Sequence, residues 1–338
     1  MAARILNPLS QLGAMRGKAV AFIGLGRMGS EMAYNLFSKT FAQEKDAHFI
    51  VCDALKDNAT KFASNFTGQF PGAHVSIAET PGEAALSAKT LITMLPSTPQ
   101  VREVYEEHIM PAFVHLGPQI AGESLAIDST TLDVKASQAV ALRMKDLCVA
   151  MVDAPVSGGV TGAKAGTLSF LVGGTEADFR QAEPTLSMMG KRIVHCGPSG
   201  AGLGAKIANN LMLGVQQIVT AEALLLGQRL GLDPAVLSGV IGSSTGNCWS
   251  VSTNNPVPGA LADVSPPCER EYDGGFATNL MLKDMGLALE VGQETSTPLP
   301  LGKAAAEVYA QVVKERPELG GKDFSAVYKY LYEQAVSV

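Results

Sequence analysis

Positive charge is in short supply. The chain carries 26 Lys and Arg against 32 Asp and Glu, a net charge of −6. That leaves no basic field to hold a polyanion, so nucleic acid is not an expected partner. An anionic small molecule must then be met by a few local groups. Cysteine is sparse too. The five, Cys52, Cys148, Cys196, Cys248 and Cys268, are scattered, odd in number and never at metal-ligand spacing. Five histidines without a helical pair add no support for a zinc site, and unpaired thiols point to a reducing compartment. No run reads as a membrane span: the most apolar, Leu211 to Leu230, is broken by Gln216, Gln217, Glu222 and Arg229.

What is present fits two domains, since 338 residues exceed one ordinary core. Strand-like runs are expected at Ala19–Ile23, His48–Cys52, Thr90–Leu95, Leu125–Ile127, Met151–Val152, Leu168–Val172 and Arg192–His195. Helical patterns lie between them, at Gly29–Ser38, Thr98–Glu107, Asp133–Lys145 and Ala177–Met189. Such alternation predicts an α/β fold with a Rossmann-type, doubly wound, mostly parallel sheet over 18–199. After Gly204 the strand signals stop. Helices are expected at Ala205–Leu230, Pro234–Ile241, Asn279–Glu294, Leu301–Val313 and Phe324–Gln334, an all-α domain over 200–338. Residues 1–18 hold Arg4, Arg16 and Lys18 and no acid, which suits either a short targeting leader over 1–17 or a basic tail. Phe41–Asp46 reads as a surface insertion.

Gly24-Leu25-Gly26-Arg27-Met28-Gly29 follows a strand and opens a helix. In that setting the glycines allow a tight turn, close approach of backbone to a pyrophosphate, and close helix–strand packing. The amides at the helix start then meet phosphate. Asp53, at the end of the second strand, is placed to accept both ribose hydroxyls and repel a 2′-phosphate, selecting NAD over NADP, with Lys56 a partial offset. Strand exits at Met94-Leu95-Pro96-Ser97 and Asp128-Ser129-Thr130-Thr131 fall on the same sheet edge. The hydroxyls of the second exit are expected to cap the helix near Asp133.

Ser157 with Gly158 and Gly159 forms either a small nest for a carboxylate or a plain glycine loop. Lys206, Asn209 and Asn210 share one face of an otherwise apolar helix, which calls for a polar ligand or an interface network. Phe276, Leu280, Lys283 and Leu287 form a second stripe, with Lys283 either functional or snorkelling. Gly246 to Gly275, with the single tryptophan Trp249, is long enough to read as a lid or binding loop.

Together these residues resemble the β-hydroxyacid dehydrogenase family from Phe22 to about Leu331. Cys248-Trp249-Ser250, Asn255-Pro256-Val257-Pro258-Gly259, Gly274-Gly275-Phe276 and Lys283-Asp284 resemble the branch acting on 3-hydroxyisobutyrate in mitochondrial valine breakdown. The resemblance implies NAD contacts at Gly24, Leu25, Gly26, Arg27, Met28, Gly29, Asp53, Leu95, Pro96, Thr131 and Lys283. It further implies a substrate carboxylate on Ser157, Gly158 and Gly159, catalysis by Lys206 as acid–base group, and substrate contact from Asn210. Trp249 and Phe276 are expected to leave room for a methyl group. A lysine base needs a lowered pKa, which burial beside a cation provides. The family pattern has asparagine where Gln100 stands, leaving that cofactor contact open. The expected partners are a small 3-hydroxy acid and, through the long apolar helix, a second copy in a homodimer or homotetramer, with no membrane. The rival readings are reduction of another small semialdehyde (tartronate or succinic semialdehyde, or glyoxylate) and a non-catalytic cofactor-binding scaffold.

Overall fold

The structure is a computed structural model describing residues 16–336, and the chain divides into two compact units, Met1–Lys206 and Ile207–Val338. In the first, β1 (Ala19–Ile23), β2 (His48–Cys52), β3 (His74–Ile77), β4 (Thr90–Thr93), β5 (Leu125–Asp128), β6 (Ala150–Asp153), β7 (Val156–Ser157), β8 (Leu168–Gly173) and β9 (Gly190–Gly197) form one sheet. Its order is β3-β2-β1-β4-β5-β6-β8-β7, with β9 on β8. All pairings are parallel except those of β8 with β6 and β7. The chain winds outward from β1 to β3, then returns to set β4 on the other side of β1. At that reversal the loops leaving the strands diverge and open a crevice beyond their carboxyl ends.

The central strands β1, β2, β4, β5 and β6 are mostly apolar because both faces are covered. Phe22, Phe49, Ile92, Ile127 and Val152 enter one core and their neighbours Ala21, Ile50, Leu91, Ala126 and Met151 the other. On the first face Phe37 stacks on Phe49 at 4.5 Å between centroids. The covering helices are α1 (Gly29–Gln43), α2 (Lys56–Gln69), α3 (Pro81–Ser87), α4 (Thr98–Arg102), α5 (Met110–Ala121), α6 (Val134–Asp146), α7 (Gly159–Ala165) and α8 (Glu176–Ser187). A π-helical turn, Glu103–Ile109, separates α4 from α5.

In Phe41–Asp46, Phe41 is buried in the last turn of α1 and the residues beyond it are exposed. One expectation changes here. Arg16 belongs to the fold, not to a leader. Its buried guanidinium donates to the carbonyls of Ala85 and Leu86 and to Ser124 Oγ, each at 2.9 Å. Lys18 likewise pairs with Asp46. The leader expectation therefore falls on residues 1–15, outside those described.

Helix α9 (Ala201–Arg229) begins in the first unit and continues into the second, joined there by α10 (Pro234–Gly242), α11 (Trp249–Ser252), α12 (Thr278–Glu294), α13 (Pro300–Glu315) and α14 (Val327–Val336). Ile218, Ala221 and Leu224 of α9 pack with Met281, Met285, Tyr309 and Val312. Gly214 makes room for the methionines, since a Cβ there would lie 2.7 Å from Met285 Sδ. By length and composition α9 is long and apolar enough to cross a membrane, a test that the core helix of a globular protein also passes. The 246–275 stretch is anchored at several points along its length. Val251, Asn254, Asn255 and Val257 are buried, and Asp323 accepts from Asn254 Nδ2 at 3.0 Å and from the Phe276 amide at 2.8 Å.

Candidate active site

At the crevice, Gly24 has φ +94°, and a Cβ there would lie 2.3 Å from the Met94 carbonyl oxygen, so the turn requires glycine. Gly29 is as restricted: a Cβ would lie 1.9 Å from the Gly24 carbonyl oxygen, closing helix α1 onto its strand. A Cβ at Gly26 meets nothing within 4 Å, so its lack of a side chain serves no packing inside the chain. It leaves the backbone open to a ligand. Met28 at the N-cap of α1 makes no side-chain capping bond, so no side chain competes with an anion at the helix start, although the Ser30 amide already donates to the Gly26 carbonyl at 3.0 Å. Arg27 is exposed and Met28 half-buried beside them.

Asp53 closes this loop. Its Oδ2 accepts from the Leu25 amide at 2.6 Å, and its Oδ1 from the Leu55 amide at 2.8 Å and Asn58 Nδ2 at 3.1 Å. Oδ2, with one donor, retains acceptor capacity for a sugar hydroxyl, while both sites of Oδ1 are taken. Lys56 is engaged with Glu79 at 2.9 Å, which weakens its expected role as an offset to Asp53. The residues fit a dinucleotide: an open glycine backbone, uncapped helix amides and a strand-end carboxylate in one hydrogen-bonded loop.

The second edge of the crevice differs from expectation. Helix α6 is capped by Asp133, whose Oδ1 accepts from the Ala136 amide at 2.7 Å, not by the preceding hydroxyls. Thr130 instead accepts from the Leu95 amide at 3.0 Å, tying the two loops together. Leu95 and Thr131 are half-buried and Pro96 is exposed. Gln100 is turned to its own helix start, where its Oε1 accepts from Ser97 Oγ at 2.6 Å.

Beyond β6, the 154–159 loop runs through β7 into α7. Gly158 (φ +129°) and Gly159 (φ +61°) hold left-handed backbone that turns the chain there. Ser157 is half-buried and paired with Ser169 of β8. Asp153 was not singled out from sequence. It is buried, and it accepts from the amides of Gly200 at 2.6 Å and Leu203 at 3.0 Å, fixing the start of α9 to the strand that delivers Ser157. Burial raises its carboxyl above the usual range, and those amide bonds pull it back. Lys206 follows on that helix and is only 8% exposed.

One turn on, Asn210 is buried and donates from Nδ2 to Asp284 Oδ2 at 2.6 Å. Asn209 does not share the buried face: it is exposed, and reaches back to Asn210 Oδ1 at 3.1 Å. The Asn210 carboxamide is thus held from both ends. Asp284 also lies 3.5 Å from Lys283 Nζ, and sequence had noted it only as a neighbour. The stripe through Lys283 is broken, because Phe276 precedes α12 and Leu280 is 45% exposed. Phe276 is half-buried, edge-on to Phe324, while Trp249 is 49% exposed.

Two family models cover the chain: the NAD binding domain of 6-phosphogluconate dehydrogenase over 19–197, and the NAD-binding domain of NADP-dependent 3-hydroxyisobutyrate dehydrogenase over 200–331. The mouse mitochondrial 3-hydroxyisobutyrate dehydrogenase is 38% identical over 97% of this chain and 93% of its own. The structure of the Mycobacterium tuberculosis 3-hydroxyisobutyrate dehydrogenase with L-serine is 37% identical, covers 93% of this chain and 99% of its own, and superposes with a TM-score of 0.81. The Salmonella typhimurium 3-hydroxyisobutyrate dehydrogenase, 25% identical, covers 92% and 99% with a TM-score of 0.70. Similarity of this depth, running almost from end to end through both units, makes the chain a member of the 3-hydroxyisobutyrate dehydrogenase family of NAD-dependent oxidoreductases.

Proposed function

We propose that the chain oxidises the primary alcohol of 3-hydroxyisobutyrate to methylmalonate semialdehyde, with Lys206 as the acid–base group. The observation that carries this is the buried Lys206 with buried Asn210 one turn on, its carboxamide locked by Asp284. A lysine and an amide buried one turn apart on a largely apolar helix put a proton-transfer group and a hydrogen-bonding group on one face. Bound NAD supplies the hydride acceptor, consistent with the loop from Gly24 to Gly29 and Asp53. Neutral Lys206 takes the hydroxyl proton as the carbon gives up its hydride, so the alcohol loses the elements of H2. Asn210 orients the oxygen, and Ser157, Gly158 and Gly159 receive the carboxylate. Leu95, Pro96, Thr131 and Lys283 complete the cofactor contacts in this reading, and Trp249 and Phe276 flank the substrate.

A second substrate has specific support. The M. tuberculosis relative was solved with L-serine, which has the same carboxylate and 3-hydroxyl with an amine in place of the methyl. NADH or NADPH formation on 3-hydroxyisobutyrate and L-serine with NAD and NADP, and NADH consumption on the semialdehydes, decides between the readings. Lys206→Ala should lower kcat by roughly 10²–10⁴ while leaving NAD affinity within a few-fold. Turnover near wild type in that variant removes Lys206 from the mechanism.

The mouse relative's name carries a mitochondrial location, and we place this enzyme in the matrix on that ground. Because Arg16 is built into the fold, any leader processing must fall before it. Terminal sequencing of imported protein reads that position. Pairing of chains through α9 completes the proposal.

A further inference from the structure

We propose that Asp128, backed by Thr93 and Tyr105, is a positioning residue for the dinucleotide: it fixes Thr130, which holds the Leu95 amide and with it the Leu95–Pro96 edge of the cofactor site. The inference rests on the reading that this edge touches NAD.

The links form one buried chain. Strands β4 and β5 pair in register at Thr93 and Asp128, so the loops after them leave the sheet side by side. Thr93 Oγ1 donates to Asp128 Oδ1 at 2.9 Å. That uses its only proton, so the Tyr105 hydroxyl, 3.0 Å away, donates to Thr93. The Thr130 amide donates to the same Asp128 oxygen at 3.1 Å, and the Thr130 hydroxyl accepts from the Leu95 amide at 3.0 Å. Thr93, Tyr105, Asp128 and Thr130 are all at 0% exposure.

Fold stability alone does not account for a carboxylate here. Asp128 Oδ2 is buried and has no hydrogen-bond partner among the described residues, and Asp153, another buried carboxylate, is its register partner on β6. A half-satisfied buried acid beside a second one costs stability. What it gains is geometry, a fixed acceptor under Thr130. The far end of the chain is also unusual: Tyr105 lies in the π-helical turn, an irregularity of α-helices that is frequent at functional sites. That turn brings its hydroxyl under β4. The network thus runs from helix irregularity to nucleotide loop without touching the reacting alcohol.

The test is NADH affinity by fluorescence titration of the intact enzyme, alongside steady-state kinetics and Tm. Thr130→Val should weaken NADH binding roughly 5–10-fold, the worth of one hydrogen bond. KM for NAD should rise more than kcat falls, and Thr130→Ser should restore affinity to within about twofold. Tyr105→Phe, which keeps the ring and its packing, should shift affinity in the same direction by less, and it decides the matter should Thr130→Val not fold. A folded Thr130→Val, or failing that Tyr105→Phe, with lowered Tm and wild-type NADH affinity overturns the proposal. Leu95→Ala separates the two layers. Loss of affinity there but not in the network variants removes the positioning role alone. Wild-type affinity in all of them, Leu95→Ala included, removes the cofactor contact and the positioning role together.

Discussion

Two carboxylates at strand ends meet opposite conditions. Asp53 is partly exposed and receives three donors, so its charge is well accommodated. Its expected effect is selective: Asp53→Ser removes repulsion toward a 2′-phosphate, and the NADP-to-NAD ratio of kcat/KM should rise on the order of 10-fold. An unchanged ratio would place cofactor choice elsewhere. Asp128 is sealed in, and burial above all, with some repulsion from Asp153, pushes its carboxyl up to about 6 from 3.8. A folded pKa above the unfolded one means relative stability that is present below 3.8 and lost as pH rises through 6. Asp128→Asn does not titrate, so its stability relative to wild type should improve by about 1 kcal/mol between pH 5 and pH 7.5. Urea unfolding at the two pH values reads this directly, and parallel stabilities would show that Asp128 ionises without penalty. Asp53 could be singled out from sequence because a strand end after a glycine-rich turn has a known place in such sheets. Asp128 could be seen only as part of a strand exit. Its burial, and its pairing with Thr93 and Asp153, depend on strand register, which no local pattern encodes.

Among elements, the same boundary between local and non-local causes recurs. The buried strands of the sheet were legible because a strand covered on both faces must be apolar along its length. Strand β3 was not: it lies at the sheet edge, largely exposed, and its His74-Val75-Ser76-Ile77 carries no apolar run. Helix α9 was placed from Ala205, yet it starts at Ala201. The additional turn is held by Asp153, an acceptor 47 residues upstream of Gly200, so no nearby capping residue announced it. This makes Asp153 a handle on the helix that carries Lys206. Asp153→Ala leaves two buried amides unsatisfied and should cost about 2–3 kcal/mol, partly offset by losing a desolvated charge. Asp153→Asn, which keeps one carbonyl acceptor, should cost less. If α9 sets Lys206, kcat should fall in the same order as Tm. A lowered Tm with unchanged kcat would show that the lysine is placed by something other than its helix start. Burial pushes Cys52 up to about 11 and Cys268 up to about 12, leaving exposed Cys148 as the thiol expected to react first with an alkylating reagent.

At the scale of the whole molecule, the long helix has more apolar surface than its own unit covers. Ile218, Ala221 and Leu224 face the core, but Met212 at 63%, Leu226 at 63% and Leu230 at 72% exposure face outward, with Val219 between them. Met212, Val219 and Leu226 recur every seventh residue, the spacing that keeps a stripe on one side of a helix and builds a helix–helix seam. Leu232, Val236 and Val240, on and just before α10, add to the exposed apolar surface. A patch of this extent marks a protein interface more often than bare surface. Reading the helix as apolar on most of its faces identified the apolar excess, though it could not say which residues the unit's own helices would claim. The occupant we propose is a second copy, since a two-fold axis would lay the same stripe against itself. Wild-type enzyme at micromolar concentration should therefore sediment as a dimer or a pair of dimers. Leu226→Glu, combined with Val219→Glu, sets like charges against each other across the axis and should shift the population toward monomer. Neither position belongs to the proposed site, so NADH affinity per chain reports whether the unit itself survives the change. Wild-type enzyme sedimenting at the monomer mass would remove the seam and leave the chemistry of Lys206 where it stands.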